Sequence, residues 1–351
     1  MEDGAELPLD LPFGMATSVG PLPLDDVDDA VAFALAAHPR FPTVPVVSSV
    51  ERSLLAQAVA GLPRIDVRVP GLLEVDVDDL PDPVDAAAAG ASVTGEPFAA
   101  LHAMTGALAA VDDGAPHPGP VRVGLLGPVT VALALRAAGV AVDKAVALAG
   151  PVVEQRSLAL LATVRAAVPV GPIVVVLSEP GLIGAMHPTF PLTPWEIRAL
   201  LDPVVDALDR SPAARELLIG VHVPGHTDWE TVIASRVSLI SAPADGGLVG
   251  WAPQLEDLLE RGGWIAWGAV PVDQPLGTGE ELLWRRLAAV WGDLGAAGVD
   301  PMRVRLRAMV SPADGLGHFG RSQAERVMDL VTSVSSRVRR QTVAARLSLG
   351  A

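Results

Sequence analysis

The chain has 351 residues, 41 acidic against 25 basic for a formal charge of −16, and no cysteine. That length holds one large barrel or two ordinary domains, the charge makes nucleic acid a poor partner, and the missing thiols exclude disulfides and thiolate metal ligands. Half of the residues are hydrophobic, yet no run of about 18 uninterrupted apolar residues occurs, which argues against a membrane span.

In chain order, the start MEDGAELPLDLPFG is acidic and proline-bearing, without the basic and apolar regions of a signal peptide, so a cytoplasmic protein is expected. A first β-rich run, Ala16 to Gly20, leads to Asp25-Asp26. These open a helix over Val27 to Ala37 with acidic residues in its first turn. A second run spans Thr43 to Ser48. Extra length follows, from Glu51 to Pro120. There IDVRV and LLEVDV read as a hairpin within about Ile65 to Asp79, followed by an acidic, alanine-rich loop and a helix near Pro97 to Val111. The third and fourth runs are Val121 to Gly127 and Ile173 to Pro180. Thr193-Pro194 is an N-cap with proline at the first helical position, opening a helix that Pro203 is expected to kink.

The fifth run, Leu218 to Gly225, ends in GVHVPGHTD and delivers His222 and His226 to the turn after a buried strand. Thr227 or Asp228 caps the short helix WETVIAS. The remaining runs are Val237 to Pro243, Trp264 to Val270 and Val304 to Pro312, before a closing helix from Gly320 to about Leu347. Several runs are apolar on both faces, as strands between an interior and an outer helix layer must be. Eight of them alternating with helices predict an α/β fold. The expected form is a single (β/α)8 TIM barrel, one domain over residues 1–351, with a hairpin-containing insertion between strands 2 and 3. Its pocket belongs at the carboxyl ends of the strands.

Arg303, Arg305 and Arg307 alternate with apolar residues, which puts them on one face of an eighth strand. On an inward face they would stack to bind carboxylates, and Arg307 is the best placed of them. On an outward face they reach the acidic surface, which suits Arg303. Trp229 follows the His226 turn and either lines a pocket or, as first-turn tryptophans more often do, packs on its neighbour. The Gly246-Gly247 and Gly262-Gly263 pairs read as turns, since no strand–glycine–helix spacing accompanies them.

Five strand-end segments carry a resemblance: TSVGPLP with DDVDDAVAFAL, LLGPVTVALAL, VVLSEPGL, GVHVPGHTDW and SPADGLG. In this order they resemble the methionine synthase-like branch of the uroporphyrinogen decarboxylase and cobalamin-independent methionine synthase superfamily. The resemblance implies a barrel that passes a methyl group, in the parent reaction from 5-methyltetrahydrofolate to homocysteine, to a thiol held as zinc thiolate. It implies a His and a Cys two residues apart, an acidic residue after the sixth strand and a Cys after the eighth. His222 is kept, but the other positions hold Pro224, Pro243 and Asp314. The family's serine after the first strand falls at Pro21, and its aspartate before Glu-Pro falls at Ser178, while Glu179 is kept.

Carried over, the resemblance makes Glu179 and His222 the catalytic candidates. Ser18, Ser178, Glu179, Arg307 and Trp229 are the candidates for substrate contact. A metal, if held, would take His222 and Asp314 with His226 or Asp245. Zinc is the implied cofactor, and the loss of both thiolates counts against its retention. The plainer reading makes His222 a buried strand-end histidine, His226 a loop residue, and Glu179 a hydrogen-bond partner of a neighbouring loop. Three functions follow. One is a diverged transferase for a small thiol, amino acid or folate-like substrate. Another is a binding barrel without catalysis, and the third a metal-free decarboxylase-like lyase.

Overall fold

The computed structural model describes residue 9 and residues 11–69, 71–110, 119–169, 171–274 and 279–348. Most of the acidic start read as lacking a signal peptide, and Val111 at the expected end of a helix, lie outside these residues. Strands β1 (Met15–Ala16) and β2 (Pro21–Leu22) precede α1 (Val27–Ala37), and β3 (Val46–Val47) precedes α2 (Leu54–Val59). The insertion contains an antiparallel hairpin, β4 (Ile65–Val69) and β5 (Leu72–Val75), then α3 (Pro83–Gly90) and α4 (Ala99–Ala109). Next come β6 (Val121–Leu126), α5 (Pro128–Ala137), α6 (Val142–Ala167), β7 (Ile173–Ser178), α7 (Pro194–Asp209) and β8 (Leu217–His222). The chain continues through α8 (Trp229–Ala234), β9 (Leu239–Pro243), α9 (Ala252–Glu260) and β10 (Trp264–Val270). It ends with α10 (Glu280–Ala296), α11 (Pro301–Leu306), β11 (Ala308–Pro312) and α12 (Arg321–Ser348).

Seven of the strands form one curled parallel sheet in the order β1-β11-β10-β9-β8-β7-β6. Alternation along each strand feeds two cores. Val174, Val176, Leu218, Leu239, Trp264 and Met309 form an inner one with Met15 and Phe41. Val123, Val175, Val221, Ile240 and Ile265 belong to the layer packed under the helices. Both faces are buried, which is why these strands read as continuous apolar runs.

The segment between the sheet edges departs from the expected second strand. Thr43 bridges Arg122 in parallel, with Arg122 N–H donating to Pro42 O at 2.9 Å and Val44 N–H to Arg122 O at 2.8 Å. Toward β1 the link is a hydroxyl: Thr43 Oγ1 lies 3.1 Å from Thr17 Oγ1 and accepts from Ser18 N–H at 3.3 Å. Pro42 and Pro45 have no N–H, so a ladder over Thr43 to Ser48 cannot form; β3 pairs instead with β2.

Other boundaries also differ from expectation. Pro301–Leu306 is helix, not strand, because the Asp300 carboxylate accepts from Met302 N–H at 2.7 Å and Arg303 N–H at 3.2 Å, with proline at the first helical position. The arginine alternation therefore does not describe a strand face. The acidic, alanine-rich segment is α3 rather than loop, capped by Asp82 in the same manner. Elsewhere the signals hold: Asp26 caps α1, Thr193 and Glu196 form a capping box on α7, and Asp228 rather than Thr227 caps α8. Helix α7 continues through Pro203.

The insertion is clamped to α6. A Cβ at Gly90 would stand 2.4 Å from Val152 O, so α3 approaches α6 as only glycine permits. The Arg156 guanidinium donates to Ser92 O and, at 2.6 Å, to Ala60 O, and lies 5.1 Å from the Phe98 ring centroid. Helix α6 is long and apolar enough to cross a membrane, and half of its most apolar window is buried in this fold.

Candidate functional site

Two loops at the carboxyl ends of β1 and β11 fix one rim of the site. Leu316 N–H donates to Pro21 O at 2.7 Å. A Cβ at Gly315 would lie 2.3 Å from Pro21 Cδ, and one at Gly20, whose φ is +62°, 2.7 Å from Gly315 Cα. Only glycines allow that approach. The contact sets the Asp314 carboxylate, which accepts from Gly315 N–H at 2.6 Å.

His222 ends β8, in register with Ser178 on β7 and Ser241 on β9. It is 2% exposed, with Nδ1 3.0 Å from Ser241 Oγ and Nε2 3.7 Å from Asp314 Oδ1, beyond hydrogen-bond reach. Nε2 has no hydrogen-bond partner among the described residues. Burial lowers the His222 pKa; the Asp314 carboxylate pulls the other way and the Arg122 charge adds to the lowering, so the ring is neutral near pH 7. At Asp314 burial raises the carboxyl, but the Gly315 N–H and the charge that His222 and His318 carry when protonated pull the other way, and the net direction is below its ordinary range. A neutral imidazole thus faces a carboxylate.

Arg122, which the motif reading passed over, lies beneath them. It registers with Val174 on the inner face, is 3% exposed, and its Nη1 has no partner among the described residues. Burial lowers its pKa only to about 10, so it is cationic at neutral pH. Arg122, Ser178, His222 and Gly20 help enclose a cavity of about 20 Å³, room for one water-sized group. The available signal was an arginine at an inward position of an otherwise apolar run, VRVGLLG.

Glu179 is turned away from this space. It is fully buried and accepts from Val129 N–H at 3.0 Å, Thr130 N–H at 2.7 Å and the Thr130 hydroxyl. Gly127 occupies the N-cap of α5 without a side chain, and a Cβ there would fall 2.2 Å from Glu179 Oε1. Glu179 therefore serves as the missing cap. Burial pushes its carboxyl up to about 7 against the pull of those three bonds.

The other expected residues scatter. The Ser18 hydroxyl points to Met328 Sδ on α12, 3.7 Å away, and Trp229 is buried in the first turn of α8. Arg307 sits at the amino end of β11, opposite the rim, 5.0 Å over Trp264 and donating to Leu9 O at 3.3 Å. His226 is exposed and pairs with Asp245 at 3.2 Å, apart from His222. The expected metal set of His222, His226 and Asp314 does not assemble, because the His226 turn carries its ring to the Asp245 loop. Among the described residues no three His, Asp or Glu side chains converge on one point. With no cysteine to supply a thiolate, these donors do not fit a zinc thiolate site.

Two larger spaces flank the rim. One of about 280 Å³ lies over the ends of β8 to β11, walled by Pro224, Pro243, Asp273, Arg286 and Asp314. Another, of about 410 Å³, lies between the β1, β3 and β11 loops and the hairpin turn, walled by Pro21, Val46, Leu54, Gly71 and His318. A cavity of about 900 Å³ at the opposite end, beside Leu161 and Pro212, is apolar. Two of its charged groups, Arg165 and Glu216, pair with each other at 3.2 Å. Size alone favours that cavity, but convergent polar chemistry sits at the carboxyl ends.

No protein-family model matches the chain, and no curated protein matches it. Its fold is similar to that of a B12-independent methionine synthase from Shewanella sp. W3-18-1, solved in complex with selenomethionine. The TM-score is 0.51 at 13% identity, over 96% of this chain and 100% of that one. At that identity the likeness describes architecture: an α/β fold with a curled parallel sheet, similar to that of a methionine synthase.

Proposed function

We propose that the protein is a diverged methionine synthase-like (β/α)8 barrel, its sheet edges joined through the Thr43 segment. It binds a small molecule at the strand carboxyl ends and has lost the zinc-thiolate step. The observation that carries this reading is the pairing of His222 with Asp314, two positions that the resemblance assigns to metal ligands. The tautomer with its proton on Nδ1, donated to Ser241 Oγ, leaves Nε2 of His222 bare. A hydroxyl, thiol or ammonium group seated there can pass its proton to Nε2 while the Asp314 charge steadies the imidazolium.

Incubation with homocysteine and 5-methyltetrahydrofolate, with and without added zinc, tests the reading by mass spectrometry of methionine. The expected result is no methionine and less than one equivalent of zinc by elemental analysis. Stoichiometric zinc together with methionine formation, both lost in His222→Ala, would overturn it. A second reading, a barrel that binds without catalysis, is supported by Glu179, Ser18 and Trp229 all being engaged by the scaffold. A compound that stabilises the protein and is recovered unchanged favours that reading. Turnover that depends on His222 removes it.

A further inference from the structure

An ion taken out of water is costly to a fold and is ordinarily paired. Arg122 is not. It forms no ion pair among the described residues, and Nη1 is enclosed without a hydrogen-bond partner. No side chain lining its cavity carries a negative charge: it meets the Ser178 hydroxyl, the Nε2 of His222 and apolar Val176, and the Asp314 carboxylate beyond His222 is not in the lining. The space beside it is a property of the sequence, since a Cβ at Gly124 would meet only Val176 O, at 3.8 Å. The 20 Å³ cavity at the cation and the 410 Å³ cleft between the β1, β3 and β11 loops share Val46 and Leu54 as a common wall. A cation without a counterion among the described residues thus adjoins a surface cleft.

We infer that Arg122 anchors the carboxylate of a small-molecule ligand whose remaining atoms lie in the cleft beside Val46, Leu54 and Pro21. A guanidinium fork matches the two oxygens of a carboxylate, and the Ser178 hydroxyl offers a further donor in the same cavity. Size and charge select the group. One guanidinium meets one negative charge, and an inner space with room for one water-sized group admits the leading oxygen of a carboxylate but not a phosphate dianion. A halide satisfies the charge without using the fork. The inference rests on the strand ends being the ligand site, and it does not depend on methyl transfer.

Thermal unfolding of the full chain in sodium formate, acetate and butyrate, against sodium chloride and phosphate at equal ionic strength, tests it. Carboxylates are expected to raise Tm more in the wild type than in Arg122→Met, butyrate most because its tail reaches the cleft, while chloride and phosphate, whose general salt effect is common to both proteins, show no such difference. Arg122→Met keeps the volume and removes the charge. It is expected to match or exceed the wild-type Tm without ligand, because no unpaired ion remains, and to lose the carboxylate response. Arg122→Lys keeps the charge without the fork and should bind about tenfold more weakly or worse. Should Arg122→Met fail to fold, Ser178→Ala decides, with a weakened response expected.

No carboxylate response in the wild type, an equal response to chloride, or a response unchanged in Arg122→Met (or in Ser178→Ala, where that variant decides) would overturn the inference. None of these readouts involves thiol chemistry. A carboxylate response without thiol turnover leaves this site standing, and turnover without the response removes this site alone.

Discussion

Glu179 and Arg122 are both buried ions, one following β7 and the other on the neighbouring β6, and they are treated in opposite ways. Glu179 accepts three hydrogen bonds from the start of α5. Arg122 has an enclosed donor with no acceptor among the described residues and a cavity beside it. A satisfied buried ion holds scaffold together, and an unsatisfied one calls for a partner from outside the chain. The histidines repeat the pattern: His226 is closed off with Asp245, while the Nε2 of His222 is open.

The largest expected effect breaks the satisfied ion. Glu179→Ala strands two N–H groups and a hydroxyl at the α5 terminus and opens a void, for a loss of about 3–5 kcal/mol in denaturant unfolding. A loss below about 1 kcal/mol would mean that α5 is capped otherwise, and the contrast with Arg122 would dissolve. A pH series sharpens the same point. The Glu179 carboxyl rises from 4.5 unfolded to about 7 folded, so between those values the folded chain binds more protons. Its contribution to stability then falls as pH rises through that window, by up to about 3 kcal/mol. His38, lowered by burial from 6.5 to about 4, acts with the opposite sign, adding stability as pH rises through that overlapping window. The informative quantity is therefore the stability difference between wild type and Glu179→Gln, which should grow as pH falls from 7.5 to 4.5 if the value of about 7 holds. A flat difference would mean that the carboxyl titrates as in the unfolded chain.

A smaller effect tests the rim. Gly315→Ala places a Cβ against Pro21 Cδ and N at 2.3 and 2.9 Å, and one loop must move. A cost of about 1–3 kcal/mol in thermal unfolding is expected, and a neutral substitution would show the two loops to be loosely held. The smallest effect belongs to the opposite end of the sheet. Arg307→Met loses the contact with Trp264 and the bond to Leu9 O, about 1 kcal/mol, and should leave carboxylate binding unchanged. Altered binding would draw the amino ends into the site.

The strands β6 to β10 were legible because burial on both faces writes an uninterrupted apolar run, and α1 and α7 because Asp26 and Thr193 announce their caps. The start of the eighth strand was misread where two signals compete. Asp300-Pro301 starts a helix locally, and that outweighs the period-two spacing of Arg303, Arg305 and Arg307. Arg303 then reaches Glu256 and Glu260 on α9, as its outward reading anticipated. Within the candidate site, strand-end position pointed to His222, and the motif order pointed to Ser178 and Asp314. What periodicity cannot tell is where a side chain goes once buried: Glu179 turns to a helix that starts 51 residues earlier, at Pro128, because Gly127 leaves that terminus bare. Arg122 lies within a strand rather than in a strand-end loop, so no loop motif marks it.

The joint at Thr43 bears on how the molecule breathes. Separating β6 from β7 means undoing a ladder of six residue pairs, whereas parting β6 from β1 means releasing one bridge and the Thr43 hydroxyl contacts. Local opening follows the weakest set of backbone bonds, so amide exchange should begin at Val44 and Arg122 well before Val175 or Val221. Val46 and Leu54, the wall shared by the cleft and the inner cavity, hang from this same segment. Two prolines that deprive a strand of its donors thereby furnish the seam through which a molecule can reach the buried cation.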